Sequence, residues 1–158
     1  MAEAAEKLSD ELLQWVTFRL AEETYGINVM QVQEVLRVTE IAPVPGSPDY
    51  VIGIINLRGN VVTVVDTRSR FGLPPKDPDD LSRIVIIESG DQEIGILVDS
   101  VAEVVELRAS DMESAPNVGN EESSRYIQGV TSQDGQLLIL VDLNKFLTDE
   151  ELAEIESL

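Results

Sequence analysis

The chain has 158 residues, with 30 acidic and 11 basic side chains and a formal net charge of −19. A surface of this sign repels nucleic-acid phosphates and anionic lipid headgroups, so we expect no nucleic-acid partner. The length allows one domain of ordinary size or two small ones that share a core. Hydrophobic residues make up 43% of the chain, which is enough to build that core.

Two residue types are missing, and their absence excludes several kinds of chemistry. The chain has no cysteine and no histidine. The absence of cysteine excludes disulfides and thiol nucleophiles. The absence of histidine excludes a histidine general base, a histidine metal ligand and a phosphohistidine. Residues 1–20 carry charges that interrupt each apolar run, which predicts neither a signal peptide nor a membrane span. We expect a cytoplasmic protein without cofactors or direct membrane insertion, and no enzyme.

The N-terminal third predicts a helical leader followed by strands. Residues 1–13 are rich in helix formers. From Gln14 to Leu20 the alternation of apolar and polar residues is typical of a strand, and a second strand follows at 25–29. Residues 30–38 fit one face of a helix, but their β-branched side chains also permit a strand, so both remain open.

Proline and glycine mark the next loops. Residues 42–48 contain three prolines and a glycine, which excludes regular structure. The apolar runs at 50–57 and 60–65 flank Arg58-Gly59, which predicts a tight hairpin with the glycine at positive φ. Residues 72–82 form a second proline-rich connector.

The rest of the chain predicts more short strands and a terminal helix. The strands are expected at 83–88, 92–98, 101–107, 126–132 and 136–141. The short turns between them favour antiparallel sheets in barrels or a sandwich. Residues 142–156 show a helical pattern, and the acidic helix at 149–158 is expected to dock on its own barrel.

The two halves of the chain resemble each other in sequence. An offset of 69 residues aligns 15–38 with 84–107, and an offset of 76 aligns 50–66 with 126–142. The aligned pairs include Gly26 with Gly95, Glu34 with Glu103, Gly53 with Gly129, Gly59 with Gly135 and Asp66 with Asp142. Glycines and acids in register predict an internal duplication.

The duplication predicts an all-β fold with short helices. It consists of two pseudo-repeated five-stranded β-barrel subdomains packed against each other, plus terminal helices. The barrels interleave within a single domain at 14–148 and cover approximately 14–75 and 82–148. Neither half buries much core alone, so their packing supplies stability. A junction of this kind also creates a groove for a partner.

The acidic residues predict structural roles. Asp66 and Asp142 follow strands and precede short helical patterns, which predicts helix N-caps. The Asp77 to Asp80 run lacks the central glycine and closing glutamate of a calcium loop, so we interpret it as a solvated linker. Serine nucleophiles have no histidine base, which favours a non-catalytic protein.

One window departs from the overall charge. Residues 41–72 hold three arginines against two aspartates, a net charge of 3 − 2 = +1. Arg58 lies at the predicted hairpin tip. It is either a solvated turn arginine or an interface anchor for a partner's carboxylate. Of the apolar residues at 29–36, Val32 and Val35 belong to the core or line the groove, and Glu34 is expected to face outward.

Motifs spread over most of the chain carry a family resemblance. They are ETYGI at 23–27, VQEV at 32–35, GIINLRG at 53–59 and VVD at 64–66. The second half repeats the pattern with IGILVD at 94–99 and LLILVD at 137–142. Together they resemble the CheW family of bacterial chemotaxis coupling proteins, and Asn-Leu-Arg-Gly is the most specific element.

The resemblance implies an adaptor that couples the histidine kinase CheA to the cytoplasmic helical tips of chemoreceptors. Its groove would be the receptor side, and the implied receptor-binding residues are Val32, Glu34, Val35, Gly53, Asn56 and Arg58. The regulatory domain of CheA would meet the chain barrel to barrel, and the implied kinase-binding residues are Pro116, Asn117 and Val118. The resemblance also implies association with membrane-bound receptor arrays through these partners.

Two other functions compete with this interpretation. A small β-barrel could bind a ligand in its interior, but dense alternation of Val, Ile and Leu predicts interiors filled by side chains. Oligonucleotide binding is opposed by the net charge and by the few aromatic residues available for stacking.

Overall fold

A computed structural model describes residues 12–89, 92–113, 127–133, 135–142 and 147–156. The strands are β1 (Leu12–Leu20), β2 (Glu23–Asn28), β3 (Val32–Arg37), β4 (Val51–Leu57), β5 (Asn60–Asp66), β6 (Arg83–Ser89), β7 (Gln92–Val98), β8 (Ser100–Arg108), β9 (Ile127–Gln133) and β10 (Gln136–Val141). The helices are α1 (Thr67–Arg70) and α2 (Asp149–Glu156), and 3₁₀ turns lie at Val29–Gln31 and Ala109–Asp111.

The strands agree with the sequence pattern, with differences at the ends of elements. The segment left open at 30–38 is the end of a 3₁₀ turn followed by β3. Strand β1 begins at Leu12, so the last two residues of the expected leader are strand, and residues 1–11 lie outside the described residues. The terminal helix begins at Asp149 rather than 142, with 143–146 also outside them.

The strands form two five-stranded sheets with the same order. One sheet is β8-β1-β2-β10-β9, which we call subdomain A, and the other is β3-β6-β7-β5-β4, which we call subdomain B. Replacing each strand by its repeat partner, five positions along the element order, converts one order into the other. The all-β fold of two packed pseudo-repeats is therefore confirmed.

The boundaries expected for the two subdomains, 14–75 and 82–148, are wrong. Subdomain B is the continuous segment 32–98, whereas subdomain A combines 12–28 with strands after residue 99. The chain thus crosses between sheets twice, after β2 and after β7. At each crossing the next strand joins the other sheet, so the repeats exchange their last three strands.

The short turns predicted purely antiparallel sheets, but both sheets are mixed. Strand β2 pairs with β10 in parallel, and β5 pairs with β7 in parallel. These pairs join strands from different repeats. They follow from the exchange, because only strands that return through a tight turn must be antiparallel.

Closed barrels are also not what the structure has. Each sheet curls until its edges approach, and one isolated bridge joins them: Ala42 with Ile54 in subdomain B, and Glu113 with Val130 in subdomain A. A full ladder does not form between these edges in the described residues. Each subdomain is therefore a curled sheet whose two edges are joined by a single bridge.

The core has three parts. Trp15, Leu138 and Leu140 belong to the interior of subdomain A, and Val64 and Ile84 to that of subdomain B. The largest cluster lies between the two sheets. It contains Val16, Phe18, Leu20, Tyr25, Ile27, Val51, Val65, Val85, Ile87, Ile94, Ile96, Val98, Val141, Leu147 and Ile155. Both sheets therefore bury two apolar faces, which explains their near-continuous apolar strands.

Polar side chains hold both crossings in place. At the second crossing, Arg68 donates to both carboxylate oxygens of Asp99, at 2.9 and 2.6 Å. Asp99 also accepts the Ala21 backbone N–H at 2.8 Å. At the first crossing, the Gln31 amide donates to Asp142 at 2.9 Å. The residues that hold the crossings, Arg68 and Asp142, each follow the last strand of a repeat.

The hydrogen bonds of the Asp99 carboxylate predict that stability depends on pH. Burial opposes ionisation of Asp99, but its bonds with Arg68 and Ala21 outweigh burial and lower its pKa. Because the pKa is lower in the folded state, the carboxylate stabilises the fold at neutral pH, and this contribution is lost as the pH falls below about 4. We expect Asp99→Asn to lower the free energy of unfolding by about 2 kcal/mol at pH 7.

Urea unfolding from pH 7 to pH 3 measures this effect. The difference between the wild type and Asp99→Asn should shrink as the pH falls. A difference that stays constant over that range would contradict the assignment. Asp77→Asn, in the solvated linker, serves as the control for loss of one acidic charge.

Candidate partner-binding groove

The hairpin between β4 and β5 presents Arg58 at its tip. Arg58 and Gly59 have φ of 52° and 85°, and Leu57 pairs with Asn60. Positive φ at both central residues is the geometry of a tight two-residue turn. The Asn56 side chain accepts the Gly59 N–H at 2.9 Å, which closes the turn. The hairpin is confirmed, and Asn56 has a structural role in it.

Glu34 and Arg58, which the family resemblance assigned to the receptor side, are in direct contact. An Arg58 guanidinium nitrogen lies 2.6 Å from a Glu34 carboxylate oxygen, and the side chains are 72% and 27% exposed. Glu34 therefore faces solvent only in part. An exposed ion pair of this kind adds little to stability. Its effect is to orient the guanidinium while most of that group stays accessible to a partner.

Val32 and Val35 lie on the face of β3 that continues the core between the sheets. Val32 is opposite Ile87 and Val35 is opposite Val85, both of which belong to that core. A bulge at Gln33 brings the two valines to the same face despite their odd spacing. Val32 is half-buried and Val35 is 40% exposed. We call this side of subdomain B the groove face.

Gly53 is buried, and packing explains its presence. A Cβ at this position would lie 2.3 Å from the backbone oxygen of Ala42. Ala42 and Ile54 exchange two backbone hydrogen bonds, at 2.9 and 2.8 Å, and these make the bridge that joins the edges of subdomain B. Gly129 has the matching role beside Glu113 in subdomain A. Gly53 thus leaves room for the backbone bridge that joins the edges of subdomain B.

Of the two predicted caps and the predicted kinase contact, the structure describes only the cap at Asp66. Asp66 caps α1, because its carboxylate accepts the Arg68 backbone N–H at 3.1 Å. The turn that Asp142 was expected to cap lies outside the described residues. The loop with Pro116, Asn117 and Val118 also falls outside them, so that site stays a prediction.

The positive window found in the sequence is not a positive patch. Arg68 pairs with Asp99, and Arg70 donates to both oxygens of Glu151, at 2.6 and 3.1 Å. Sequence reasoning missed these partners because they lie 31 and 81 positions away. It also missed exposed apolar residues, among them Met30 at 87% and Val61 at 68%. Strand alternation could have placed Val61 on the groove face.

The described residues contain neither an acidic metal cluster nor a membrane-spanning helix. No group of three or more acidic residues is arranged to hold a metal ion within the described ranges. None of the helices that the structure describes is long and apolar enough to cross a membrane.

The bridge at Gly53 gives a test of its structural role. We expect Gly53→Ala to lower the free energy of unfolding by about 2 kcal/mol, because the new methyl group would overlap the Ala42 carbonyl. Gly129→Ala, whose Cβ would lie 2.9 Å from the Glu113 oxygen, should cost less. Denaturant unfolding of both variants measures this order. Equal stability of Gly53→Ala and the wild type would contradict the packing role.

Comparisons with known proteins identify the family. The CheW-like domain model matches residues 14–151. The chemotaxis protein CheW of Treponema pallidum is 35% identical over 155 residues, covering 96% of this chain and 91% of that protein. The Bacillus subtilis CheW is 35% identical over 135 residues, covering 85% and 86%. The crystal structure of the scaffolding protein TtCheW from Thermoanaerobacter tengcongensis has a TM-score of 0.79 at 33% identity, covering 86% of this chain and 92% of that one. The chain belongs to the CheW-like domain family.

Proposed function

We propose that the chain is a non-catalytic chemotaxis adaptor that couples the histidine kinase CheA to the cytoplasmic tips of chemoreceptors. The observation that carries this proposal is the oriented Arg58–Glu34 pair on subdomain B, whose groove face bears the accessible Val35. Relatives that align over most of the chain are named chemotaxis protein CheW, which supports the same function.

The groove chemistry suits the side of a helix. A receptor tip made of helices presents apolar residues at helical spacing with polar residues beside them. Val32 and Val35 offer an apolar strip, and Arg58, at the hairpin tip of the same subdomain, offers a planar donor for a carboxylate. Glu34 fixes the guanidinium before a partner arrives, so less side-chain entropy is lost on binding. We assign receptor binding to Val32, Glu34, Val35, Asn56 and Arg58, with Gly53 acting through the backbone.

Kinase binding is proposed for a separate segment of the sequence. The family resemblance assigns it to Pro116, Asn117 and Val118, between β8 and β9 in the sequence. Two separate segments of the chain can serve two partners at once. An adaptor requires this, because it transmits a signal by holding both partners together.

A ligand-binding barrel is the weaker alternative. The interiors of both subdomains are filled by large side chains, with Trp15, Leu140, Val64 and Ile84 at 0% exposure. A small molecule would have to displace these packed groups. The described interiors therefore favour a protein-binding surface over an internal ligand site.

Charge reversal at Arg58 tests the receptor surface. We expect Arg58→Glu to weaken receptor-dependent activation of CheA about tenfold, because the planar donor is lost from the hairpin tip. The exposed side chain should change the free energy of unfolding by only ~0.5 kcal/mol. Kinase phosphorylation in receptor-bearing membranes is the measurement.

Arg19→Glu is the matched control, since Arg19 is exposed at the end of β1 in subdomain A. It changes the net charge equally and should leave activation unchanged. Equal activation by Arg58→Glu and Arg19→Glu would remove Arg58 from the receptor surface. Absence of any receptor-dependent activation by the wild type with cognate partners would overturn the adaptor function.

Val118→Asp tests the kinase contact independently. We expect this variant to weaken binding to the CheA regulatory domain about tenfold, because an apolar contact would receive a charge. Binding to receptor membranes should be retained. Calorimetry with the kinase domain and co-sedimentation with receptors separate the two effects. Unchanged kinase affinity would contradict the assignment of the 116–118 loop.

A further inference from the structure

The C-terminal helix α2 occupies part of a cleft of mixed polarity on subdomain B. The cleft has a volume of about 370 Å³, and Ile54, Val61 and Thr63 line it together with Gln92 and Glu93 of β7 and Ile155 of the helix. Ile155 is only 6% exposed, whereas Val61 is 68% exposed. The helix therefore fills one end of the cleft, and apolar surface remains open beyond it.

A polar clamp fixes the helix beside the cleft. Arg70 donates to both carboxylate oxygens of Glu151, and its guanidinium lies 5.5 Å from the centre of the Tyr50 ring. The Tyr50 hydroxyl donates to Glu154 at 3.1 Å. Burial and the neighbouring Glu154 raise the pKa of Tyr50, so the hydroxyl keeps its proton. Both clamp residues come from subdomain B, although the helix follows subdomain A in the chain.

The helix depends on this clamp for its own stability. It has eight residues, which is shorter than isolated helices need to be stable in water. Its N-terminus is closed reciprocally, because Glu151 accepts the Thr148 N–H at 2.9 Å and donates its own N–H to the Thr148 hydroxyl at 3.1 Å. Glu151 thus serves the cap and the Arg70 pair together. Loss of docking removes the Arg70 pair and leaves a helix too short to be stable alone, so the docked helix and the open chain are two distinct states.

We propose that α2 is a displaceable latch that competes with an acidic amphipathic helix of a partner for this cleft. The latch defines the chemistry of that partner: two carboxylates three residues apart and an aliphatic side chain at the next position, as in Glu151, Glu154 and Ile155. Arg70 and Tyr50 receive the carboxylates, and the cleft receives the aliphatic group. The inference stands on these contacts and does not depend on the adaptor function.

A labelled peptide with the sequence of residues 147–158 is the probe for the cleft. It is added to the full-length wild type, to Glu151→Gln and to the matched control Glu150→Gln, since Glu150 is exposed on the same helix. Fluorescence anisotropy measures peptide binding, and hydrogen exchange measures protection of the amides at 149–156. Trp15, the one tryptophan of the chain, is fully buried, so its emission reports that the core is intact.

We expect Glu151→Gln to lower amide protection in α2 and to strengthen peptide binding about tenfold, because the latch no longer competes. Glu150→Gln should behave like the wild type. The double variant Arg70→Gln with Glu151→Gln should lose peptide binding, because the cleft side of the clamp is gone. If Glu151→Gln shifts the Trp15 emission, Glu154→Gln, which removes the acceptor of the Tyr50 bond, takes its place.

Two results would overturn the proposal. Unchanged protection of α2 in Glu151→Gln would mean that the clamp does not hold the helix. Lost protection without peptide binding would mean that the cleft does not accept a second helix. The assay contains neither kinase nor receptor, so its failure leaves the adaptor function untouched.

Discussion

Asp99 lies between the last residue of β7 and the first residue of β8, at the point where the chain leaves one sheet for the other. Its carboxylate accepts two bonds from Arg68 of subdomain B and one from the Ala21 backbone of subdomain A. The side chains of Arg68 and Asp99 are 13% and 16% exposed. A pair this deep stabilises only when its geometry is good and its other hydrogen bonds are satisfied. Here one carboxylate fixes the crossing and both sheets relative to each other.

The crossings make the two subdomains inseparable. Subdomain B is a continuous segment inserted between the two parts of subdomain A, and the largest apolar cluster takes residues from both. Cutting the chain at the boundary of the repeats would leave each half with strands that pair only in the other sheet. The groove face therefore exists only in the assembled fold. Val35 can remain exposed there because its neighbour Val32 and the opposing strand are already anchored in the shared core.

Much of this fold could be predicted from the sequence, and the remainder depends on contacts that sequence does not display. Alternation and turn residues are local, so the strands, the Arg58-Gly59 hairpin and the Asp66 cap followed from them. The duplication was visible because glycines stay in register. The exchange of strands was not visible in the sequence, because residues 29–31 do not indicate which sheet the next strand joins. The Glu34–Arg58 contact was also hidden, because it forms across the edge that Gly53 allows to close.

Three arginines within the same short window each hold a carboxylate from a different part of the chain. Arg58 joins the hairpin to β3, Arg68 holds the second crossing, and Arg70 holds the terminal helix. In a chain of net charge −19, unpaired carboxylates are abundant and mutually repulsive, so each junction needs a cation with a defined direction. Arg68 and Arg70 bind both oxygens of their partners, which a lysine ammonium cannot match in geometry. The three arginines thus fix the positions of the sheet edge, the crossing and the helix by pairing with their carboxylates. Arg58 differs from the other two in being mostly exposed, and this difference is what leaves it available to a partner.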